Sequence, residues 1–464
     1  MGDGSRPKHA VLLRLALGSA LLAAGCVAGN GPPPEAAAPP TSKGVSGVVT
    51  LREIDGGPAY YGRFRGSFPT DPAFFPIAVW SESVTVPEDT RLDKAAGINT
   101  YLELTADSDP GLIRAAGMYA VPSGPLRGSG SETVGRESAD EIDMWAGAGE
   151  DSWTGRWGWD TDRNRQPCTE SDHARGLACG YAAVRTLRAR APAGQPFFGS
   201  YGKGVMFWQS SEQGARFVNM VDTVIDDQFW YSNVAEEIGV PSQGGALLNY
   251  GQQMTNDEVH RASNYGAVVA RLRALDATDG KRIPVWNFVE VGHPFAPAGW
   301  PTITPAQMNA AVWHSIIAGA RGITYFNHSF GGHCPTQHIL RDPCYAQMRT
   351  AVTATNARIT RLAPVLNDSV AEGFLGVPAE VKAVAKYHDG DYYVIAGASG
   401  IGNGPQPVRM TIRCGDTTAT VLDEDRTVQV RDGMLVDAFE NTEAVHIYHI
   451  DGASCVQPTG SAKP

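Results

Sequence analysis

Several features are missing from this sequence of 464 residues, and each absence argues against a class of function. The chain has 38 basic and 49 acidic residues, a net charge of −11 and no run of basic residues. Nucleic acids and anionic membrane surfaces are bound through clustered Lys and Arg, so we expect neither as a partner. No G-x-S-x-G motif is present, which argues against a serine hydrolase with a nucleophile elbow. The segment GSYGKG (199–204) has the wrong spacing for a dinucleotide fingerprint, and no acidic partner follows it.

The apolar stretch near the N-terminus is too short to span a membrane. It follows three basic residues within the first 14 positions and ends in small residues before Cys26, which predicts an export signal over residues 1–25. The sequence LAAGC also resembles a bacterial lipobox. That resemblance implies cleavage before Cys26, acylation of its thiol and anchoring to the outer face of the bacterial cell membrane. A secreted form without the anchor is the alternative, and we expect no other membrane contact.

Residues 26–60 are rich in Pro, Ala and Gly at their start and are predicted to form a tether between the anchor and the folded body. Six cysteines remain once Cys26 is set aside, and an even number in an exported chain favours disulfides. Six cysteines allow about fifteen pairing schemes. Proximity in the sequence favours the scheme Cys168–Cys179, Cys334–Cys344 and Cys414–Cys455.

From about residue 74 the sequence repeats one pattern: a short apolar run, a polar or glycine-containing turn and a helical stretch. Eight runs are predicted as strands: 74–80, 98–104, 118–124, 133–141, 196–202, 221–227, 283–290 and 322–328. Helical periodicity precedes the last of them, with Thr304 and Gln307 as a predicted capping box. Eight strands alternating with helices over about 300 residues predict a (β/α)8 TIM barrel, here residues 61–366.

The pattern changes after residue 366. Alternating apolar residues flank an Asp389-Gly390 turn, which is a strong hairpin signal, and further strand-like segments follow without a helix signal. We therefore predict a small all-β sandwich over residues 367–464, for an overall α/β chain with a second, all-β domain.

Acidic residues end two of the predicted barrel strands. The fourth strand ends in SADEID, with Asp140, Glu141 and Asp143, and the seventh ends at Glu290. Because side chains at the carboxyl ends of barrel strands face the mouth, carboxyl groups from these two strands can flank one bond there. Glycoside hydrolysis needs such a pair: one acid protonates the leaving oxygen, and the other attacks the anomeric carbon or activates water.

These residues resemble a known group. The chain is similar to clan A glycoside hydrolases over roughly residues 70–365, close to the family 42 type and its actinobacterial relatives. The resemblance implies that Glu141 is the acid/base and Glu290 the nucleophile of a retaining reaction without metal or organic cofactor. The clan often has Asn before the acid/base, where this chain has Asp140, and Glu150 is the alternative acid/base.

Other residues at the predicted strand ends are candidates for holding a sugar by hydrogen bonds or ring stacking. They are Trp80, Glu103, Asp227, Tyr231, Asn327 and His328. A tyrosine after the sixth strand is also expected to orient the nucleophile, by the same resemblance.

Two alternatives to a hydrolase of this kind stay open from the sequence. The chain could be a surface lipoprotein that binds carbohydrate on a hydrolase-like barrel without turnover. The segment HSFGGHCPTQH (328–338) could hold a metal through His328, His333, Cys334 and His338, which free thiols at Cys334 and Cys344 would favour.

Overall fold

The computed structural model describes residues 47–153, 178–234, 254–400 and 404–462. Eight parallel strands form the first sheet, with the neighbour order β4-β3-β2-β9-β8-β7-β6-β5. In chain order they are β2 (Ile77–Glu82), β3 (Thr100–Leu104), β4 (Tyr119–Val121), β5 (Arg136–Glu137), β6 (Phe197–Tyr201), β7 (Thr223–Asp226), β8 (Val285–Glu290) and β9 (Gly322–Phe326). A parallel bridge between Ala120 and Thr133 joins the β4 edge to the β5 edge and completes the barrel. The predicted barrel is therefore confirmed.

Helices cover the outside of the barrel. Pro58–Tyr61 precedes β2, and the helices between or after the strands are Pro87–Ala95, Pro110–Ala115, Ile142–Trp145, Gly180–Arg190, Ser211–Val218, Asn256–Val259, Ser263–Asp276, Pro305–Ile317 and Ala346–Leu366. A single π-helical turn, Gly204–Trp208, follows β6. Short 3-10 turns lie at Ala277–Asp279 and Pro343–Tyr345. The capping box predicted before β9 is confirmed, since Gln307 N donates to Thr304 Oγ1 at 3.3 Å and Thr304 N donates to Gln307 Oε1 at 2.9 Å.

The inward faces of the strands explain why the barrel is solid below its mouth. The Trp286 ring of β8 packs against Phe198 of β6 at 5.4 Å and against Phe68 at 5.6 Å between ring centroids. Outward side chains contact the helices instead, as where Asn287 Nδ2 donates to Ser315 Oγ at 2.9 Å. Trp286 and Glu290 are both even-numbered positions of β8, so strand alternation places Glu290 on the inward face at the mouth.

The remaining strands form one mostly antiparallel sheet around a second core. They are β1 (Thr50–Arg52), β10 (Val370–Glu372), β11 (Leu375–Gly376), β12 (Val381–His388), β13 (Asp391–Ala398), β14 (Gln406–Ile412), β15 (Thr417–Val421), β16 (Arg426–Arg431), β17 (Met434–Phe439), β18 (Val445–Ile450) and β19 (Ser461–Ala462). The β12–β13 hairpin turns at Asp389 and Gly390 as predicted. This confirms an all-β domain after the barrel. β1 lies within the range 26–60 predicted for the tether, and it pairs with β10.

The two parts of the fold share an apolar interface. Val394 and Ala396 of β13 belong to the core of the β domain, whereas Ile395 between them packs with the barrel core. Val445 and Ile447 of β18 also pack with the barrel core. The β domain therefore covers one side of the barrel with one face of its sheet.

Two of the predicted disulfides are present, Cys334–Cys344 and Cys414–Cys455. Cys168, of the third predicted pair Cys168–Cys179, lies outside the described residues, as do Cys26 and the export signal. Among the described residues, no helix is both long enough and apolar enough to cross a lipid bilayer.

Candidate active site

Glu290 is the last residue of β8, and its side chain is fully buried. The Tyr265 hydroxyl donates to both of its oxygens, at 2.8 Å each. Ser232 donates to Oε1 from its hydroxyl at 2.9 Å and from its backbone N–H at 3.2 Å. Glu290 is thus held in one orientation by neutral donors.

Two opposing effects act on the ionisation of Glu290. Burial raises its pKa, because a charge is poorly solvated there, while the donors on Tyr265 and Ser232 lower it by stabilising the carboxylate. Burial is the larger effect, so the pKa is raised above its ordinary value. The Tyr265 hydroxyl itself accepts from the backbone N–H groups of Trp230 and Tyr231, at 3.1 Å each, which fixes its proton toward Glu290.

Glu141 stands at the start of the Ile142–Trp145 helix, just after β5, with its side chain partly exposed. Its backbone is left-handed, with φ 49° and ψ 34°. Gly202, after β6, lies beside it: a Cβ on Gly202 would stand 3.4 Å from Glu141 Oε1 and 2.9 Å from Asp227 Oδ1. Glu141 and Asp227 therefore flank the same glycine at the barrel mouth, and a side chain at position 202 would intrude between them.

Further carboxyl groups surround this pair. Burial and the charge of Glu141 raise the pKa of Asp140 to about 8, and burial and the charge of Asp140 raise the pKa of Glu103 to about 7. Asp140 accepts a hydrogen bond from Ser200 Oγ at 3.2 Å, and Glu103 accepts one from Ser123 Oγ at 2.9 Å. Burial raises the pKa of Asp227 well above its ordinary value, with Glu141 and Asp140 adding to the effect.

Glu137 of β5 lies deeper in the barrel and is 1% exposed. Burial, Glu103 and Asp140 raise its pKa, and a hydrogen bond from the Ser200 side chain offsets part of that rise. We call Glu103, Glu137, Asp140, Glu141 and Asp227 the acidic cluster. Because its members interact, they take up and release protons as a set rather than one by one.

Asp143 has a different surrounding from the cluster, although it is only two residues from Glu141. Its carboxylate accepts from the backbone N–H of Val205 at 2.6 Å and of Gly202 at 3.1 Å. These contacts fix the turn that follows β6. Asp143 is therefore used to build the site wall beside Gly202.

Three residues at the mouth have a strained backbone. Among the described residues, seven other than glycine have positive φ, and four of them are aspartates in the β domain. The other three are Ser81 at the end of β2, Glu103 in β3 and Glu141 after β5. Positive φ is unfavourable for residues such as Glu and is found mostly where function demands it.

Aromatic rings line the opposite part of the mouth, where β2, β8 and β9 end. Trp80 stacks on Phe326 at 5.3 Å between centroids with an interplanar angle of 20°, and it meets Phe288 edge-on at 6.2 Å. Phe229 packs against Phe326 at 4.6 Å. We call Trp80, Phe229, Phe288 and Phe326 the aromatic wall. His328 borders it, 5.4 Å from the Trp80 ring, and burial lowers the pKa of His328 to about 4, so it is neutral at neutral pH.

Asn327, predicted as a sugar ligand, is used inside the protein instead. It is fully buried, its Nδ2 donates to Glu82 Oε1, and its Oδ1 accepts from Leu340 N at 2.9 Å. Glu82 also binds His338 Nδ1 at 2.5 Å and lies 3.3 Å from Arg341. This buried network ties the loop after β9 to the end of β2.

The same loop contains the predicted metal alternative. His333 Nε2 lies 3.4 Å from Cys344 Sγ, but Cys344 and Cys334 are bonded to each other. The free thiols that would favour a metal here are therefore not present.

Two further candidates lie outside the acidic cluster. Tyr231 is 2% exposed and stacks on Tyr265 at 5.7 Å, so it packs behind Glu290. Glu150, the alternative acid/base, is an exposed surface residue that pairs with Arg185 at 2.9 Å and with Arg216, both on outer helices. Its ion pairs hold it on the outer helices, so Glu141 is the better candidate.

Neither Tyr265 nor Ser232 is recognisable from the sequence as part of a site. Tyr265 belongs to the Ser263–Asp276 helix, where its position within an apolar repeat indicates ordinary core packing. The only available signal was its location between β7 and β8, where the clan resemblance places a tyrosine that orients the nucleophile. In the structure the tyrosine that contacts Glu290 is Tyr265 of this helix, and Tyr231 stacks on it.

The sequence matches no protein-family model and no curated protein. Similar solved structures include a glycoside hydrolase family 5 protein from Bacteroides vulgatus, at 12% identity and a TM-score of 0.45, with 90% of this chain and 97% of that chain covered. A GH30 endoxylanase from Clostridium papyrosolvens is similar at 10% identity and a TM-score of 0.36, with 87% of this chain and 100% of that chain covered. An Anoxybacillus alpha-amylase is similar at 9% identity and a TM-score of 0.40, with 84% of this chain and 100% of that chain covered. Likenesses this distant do not identify the family of this chain.

Proposed function

We propose that this protein is a glycoside hydrolase that cleaves O-glycosidic bonds of an oligo- or polysaccharide, with Glu290 as nucleophile and Glu141 as acid/base. The observation that carries the proposal is the contrast between the two glutamates. Glu290 ends β8 and Glu141 follows β5, and these two strands are three positions apart in the barrel order. The hydrogen-bond partners and the exposure of the two side chains differ, as the two roles require.

The contacts of Glu290 suit a nucleophile. Its attack on an anomeric carbon needs an ionised carboxylate in a fixed orientation, and hydrogen bonds to the charged form favour ionisation. Tyr265 and Ser232 supply three donors to one carboxylate, and these donors offset part of the rise in the pKa of Glu290 that burial causes. The apolar rings of the aromatic wall exclude water from the same region, which protects a glycosyl-enzyme intermediate until a water is activated.

The surroundings of Glu141 suit an acid/base. A general acid/base must be reachable by the leaving oxygen and by the incoming water, and Glu141 is partly exposed at the barrel mouth beside Gly202. The charge of Glu141 raises the pKa of its neighbours Asp140 and Asp227. After protonating the leaving oxygen, Glu141 as carboxylate would take a proton from the incoming water, so that one residue serves both steps.

Double displacement retains the anomeric configuration, and it requires carboxyl groups about 5–5.5 Å apart when substrate is bound. We therefore propose a retaining reaction, checked by following the anomeric proton of the first-formed product by NMR. No metal or organic cofactor takes part in this scheme.

We also propose that the protein acts outside the cytoplasm. The two disulfides suit an oxidising compartment. The lipobox-like LAAGC sequence supports attachment through Cys26, with a secreted form as the alternative. Mass spectrometry of the mature N-terminus distinguishes an acylated Cys26 from an unmodified chain.

The test is a screen of purified protein against aryl glycosides and polysaccharides, with Glu141→Gln and Glu290→Gln beside the wild type. General acid–base catalysis contributes about 10²–10⁴-fold, so we expect each variant to lose at least that much turnover on unactivated substrates. Glu150→Gln is the matched control, since it removes the same charge from the outer surface, and it should keep wild-type turnover. Carbohydrate binding by a wild type that hydrolyses nothing would instead support a binding lipoprotein, and equal turnover in all four proteins would reject the two assigned glutamates.

A further inference from the structure

A cavity lies between the barrel and the β domain, at the end of the barrel opposite the mouth. Its volume is about 80 Å³. Arg321, which directly precedes β9, lines it from the barrel, and Arg52 of β1 and Lys386 of β12 line it from the sheet. Most of the remaining lining is apolar and comes from Ile316, Ile317, Leu366, Val370, Val384 and Ile395. Three cations therefore border one small and otherwise mostly apolar space.

The strand register of the β domain places two of these cations on one face of the sheet. Val370 of β10 is paired with Arg52 of β1 on one side and with Lys386 of β12 on the other. Residues paired in this way point to the same face of an antiparallel sheet. Neighbouring strands are about 4.7–4.9 Å apart, so the backbones of Arg52 and Lys386 are roughly 10 Å apart across Val370. A small ion fits between two long side chains at that separation.

Lys386 is a buried cation whose donors are incompletely paired. The residue is 2% exposed. An ammonium group has three N–H donors, but among the described residues Lys386 Nζ donates only to the backbone oxygen of Asp368. The carboxylate of Asp368 is paired with His388 instead, at 2.9 Å. Burial, followed by the charge of Arg321, lowers the pKa of Lys386 well below its ordinary value, because a buried cation without an anion is unfavourable.

Arg321 is a second buried cation, at 6% exposure. Its Nε donates to Gly319 O at 3.2 Å and its Nη1 donates to Leu366 O at 2.6 Å, whereas its Nη2 donates to none of the described residues. These two oxygens lie at or just after the ends of two helices, so Arg321 also caps those helices. A helix end carries only about half an elementary charge, and the guanidinium is therefore not neutralised by a full anion.

The acidic groups nearest the cavity are already bound to other cations. Arg52, which is partly exposed, donates from Nε to Glu372 Oε1 at 2.5 Å and from Nη1 to Asp55 Oδ2 at 3.4 Å. Among the ion pairs of the described residues, none includes Lys386 or Arg321. Two buried cations thus line the same cavity without a carboxylate between them.

We propose that this cavity is a binding site for a small divalent oxyanion, sulfate or phosphate, which contacts Lys386 and Arg321, is bordered by Arg52 and links the β domain to the barrel. A water needs about 10–15 Å³ of cavity volume, so this cavity has room for roughly five water-sized groups, the number of non-hydrogen atoms in sulfate or phosphate. The oxygens of a tetrahedral ion accept hydrogen bonds in several directions at once, which suits donors that come from opposite walls. Charge-assisted hydrogen bonds of this kind are strong, and apolar surroundings strengthen them further.

Equilibrium dialysis of the purified protein against radiolabelled sulfate measures both the affinity and the number of ions bound. Chloride holds the ionic strength constant, so that non-specific screening is the same in every sample. We expect one sulfate per chain, displaced by inorganic phosphate. Chloride at the same ionic strength should not displace it, because a single atom cannot contact both walls.

Variants locate the site. Lys386→Met removes the charge and keeps an unbranched side chain that suits a buried position, and it should weaken sulfate binding by at least about tenfold. In chloride alone this variant should unfold at no lower temperature than the wild type, because a buried, unpaired charge has been removed. Lys382→Met is the matched control, since Lys382 lies on the same strand but is exposed and does not line the cavity. It should bind sulfate like the wild type.

Each outcome decides the proposal without reference to glycan hydrolysis. Absence of saturable sulfate uptake by the wild type would overturn it, since the cavity would then hold water only. Equal sulfate affinity of Lys386→Met and Lys382→Met would overturn it as well, because Lys386 would make no specific contact. If thermal unfolding shows that Lys386→Met does not fold, Arg52→Met decides instead: a severalfold loss of affinity supports the site, and an unchanged affinity overturns it.

Discussion

The Tyr265 hydroxyl joins three parts of the site, so the substitution Tyr265→Phe is the most informative single change. The hydroxyl donates to Glu290 Oε1 and Oε2 at 2.8 Å each and accepts from the N–H groups of Trp230 and Tyr231 at 3.1 Å each. Phenylalanine removes one oxygen atom and keeps the ring that stacks on Tyr231. The packing volume is nearly unchanged, so the effects should come from lost hydrogen bonds.

The magnitude follows from those contacts. A hydrogen bond to a charged group contributes about 1.5–3 kcal/mol, so ionised Glu290 loses about that much stabilisation. This is a factor of about 10–150 in its ionisation equilibrium. The pKa of Glu290, which burial already raises, therefore rises further. The two N–H groups lose their acceptor as well, at a cost of about 1–3 kcal/mol each where water cannot replace it.

The pH dependence has a definite sign. A carboxyl group whose pKa is raised by folding contributes stability that is fully present below its unfolded pKa and is lost as pH rises through its folded pKa. Tyr265→Phe raises that folded pKa, so the loss extends to higher pH. The destabilisation by the variant should therefore be smallest in acid, where only the unpaired N–H groups contribute, and should grow as pH increases.

Urea denaturation at a series of pH values measures this difference in the free energy of unfolding. If the protein is a hydrolase, the acid limb of its kcat/KM profile also reports ionisation of the nucleophile and should move to higher pH. Tyr231→Phe is the control, because it removes a buried hydroxyl that makes no hydrogen bond to Glu290. A destabilisation that is independent of pH, together with an unmoved acid limb, would refute the role given to Tyr265.

Two further predictions concern the acidic side of the mouth. Folding raises the pKa of Asp140 to about 8, so the wild type should lose stability as pH rises from about 4 to that value. Asp140→Asn should therefore be more stable than the wild type at the upper end of this range only. A difference in urea midpoint between the two proteins that is equal at both ends would contradict this. A Cβ on Gly202 would stand 2.7 Å from Met144 Sδ and 2.9 Å from Asp227 Oδ1, so Gly202→Ala should displace the acidic cluster and lose most turnover in a folded protein. Gly299→Ala, whose Cβ would meet nothing within 4 Å, should behave as wild type, and similar turnover of both variants would show that the region beside Gly202 can adjust.

The barrel could be predicted from sequence because each parallel strand is buried on both faces and therefore appears as a short, nearly continuous apolar run. Phe197–Tyr201 and Val285–Glu290 are buried at every position. β1 could not be predicted in this way. It has three half-buried residues next to a segment rich in Pro and Gly, and its pairing with β10 and β19 makes it a strand.

The site was predictable only in part, for a physical reason that appears at the strand ends. Strand alternation correctly places Glu290 at the mouth. Positive φ at Ser81 and Glu103 breaks the alternation at the ends of β2 and β3, so the sequence cannot indicate which way the next side chain points. Glu82 thus binds His338 and Arg341, while Glu103 lies against Asp140. Partners such as Tyr265 come from the helix before β8, 25 residues earlier in the chain than Glu290, where the apolar pattern indicates only core packing.

The two sides of the mouth differ in how they treat negative charge, and this difference bears on function more than the number of acids does. Around Glu290 the protein provides neutral donors, which lessen the penalty of burying one carboxylate. Around Glu137 and Asp227, burial and the neighbouring carboxyl groups raise the pKa well above its ordinary value, so stability is lost as pH rises through the raised pKa of each group. Glutamine and asparagine would fill the same space without that loss.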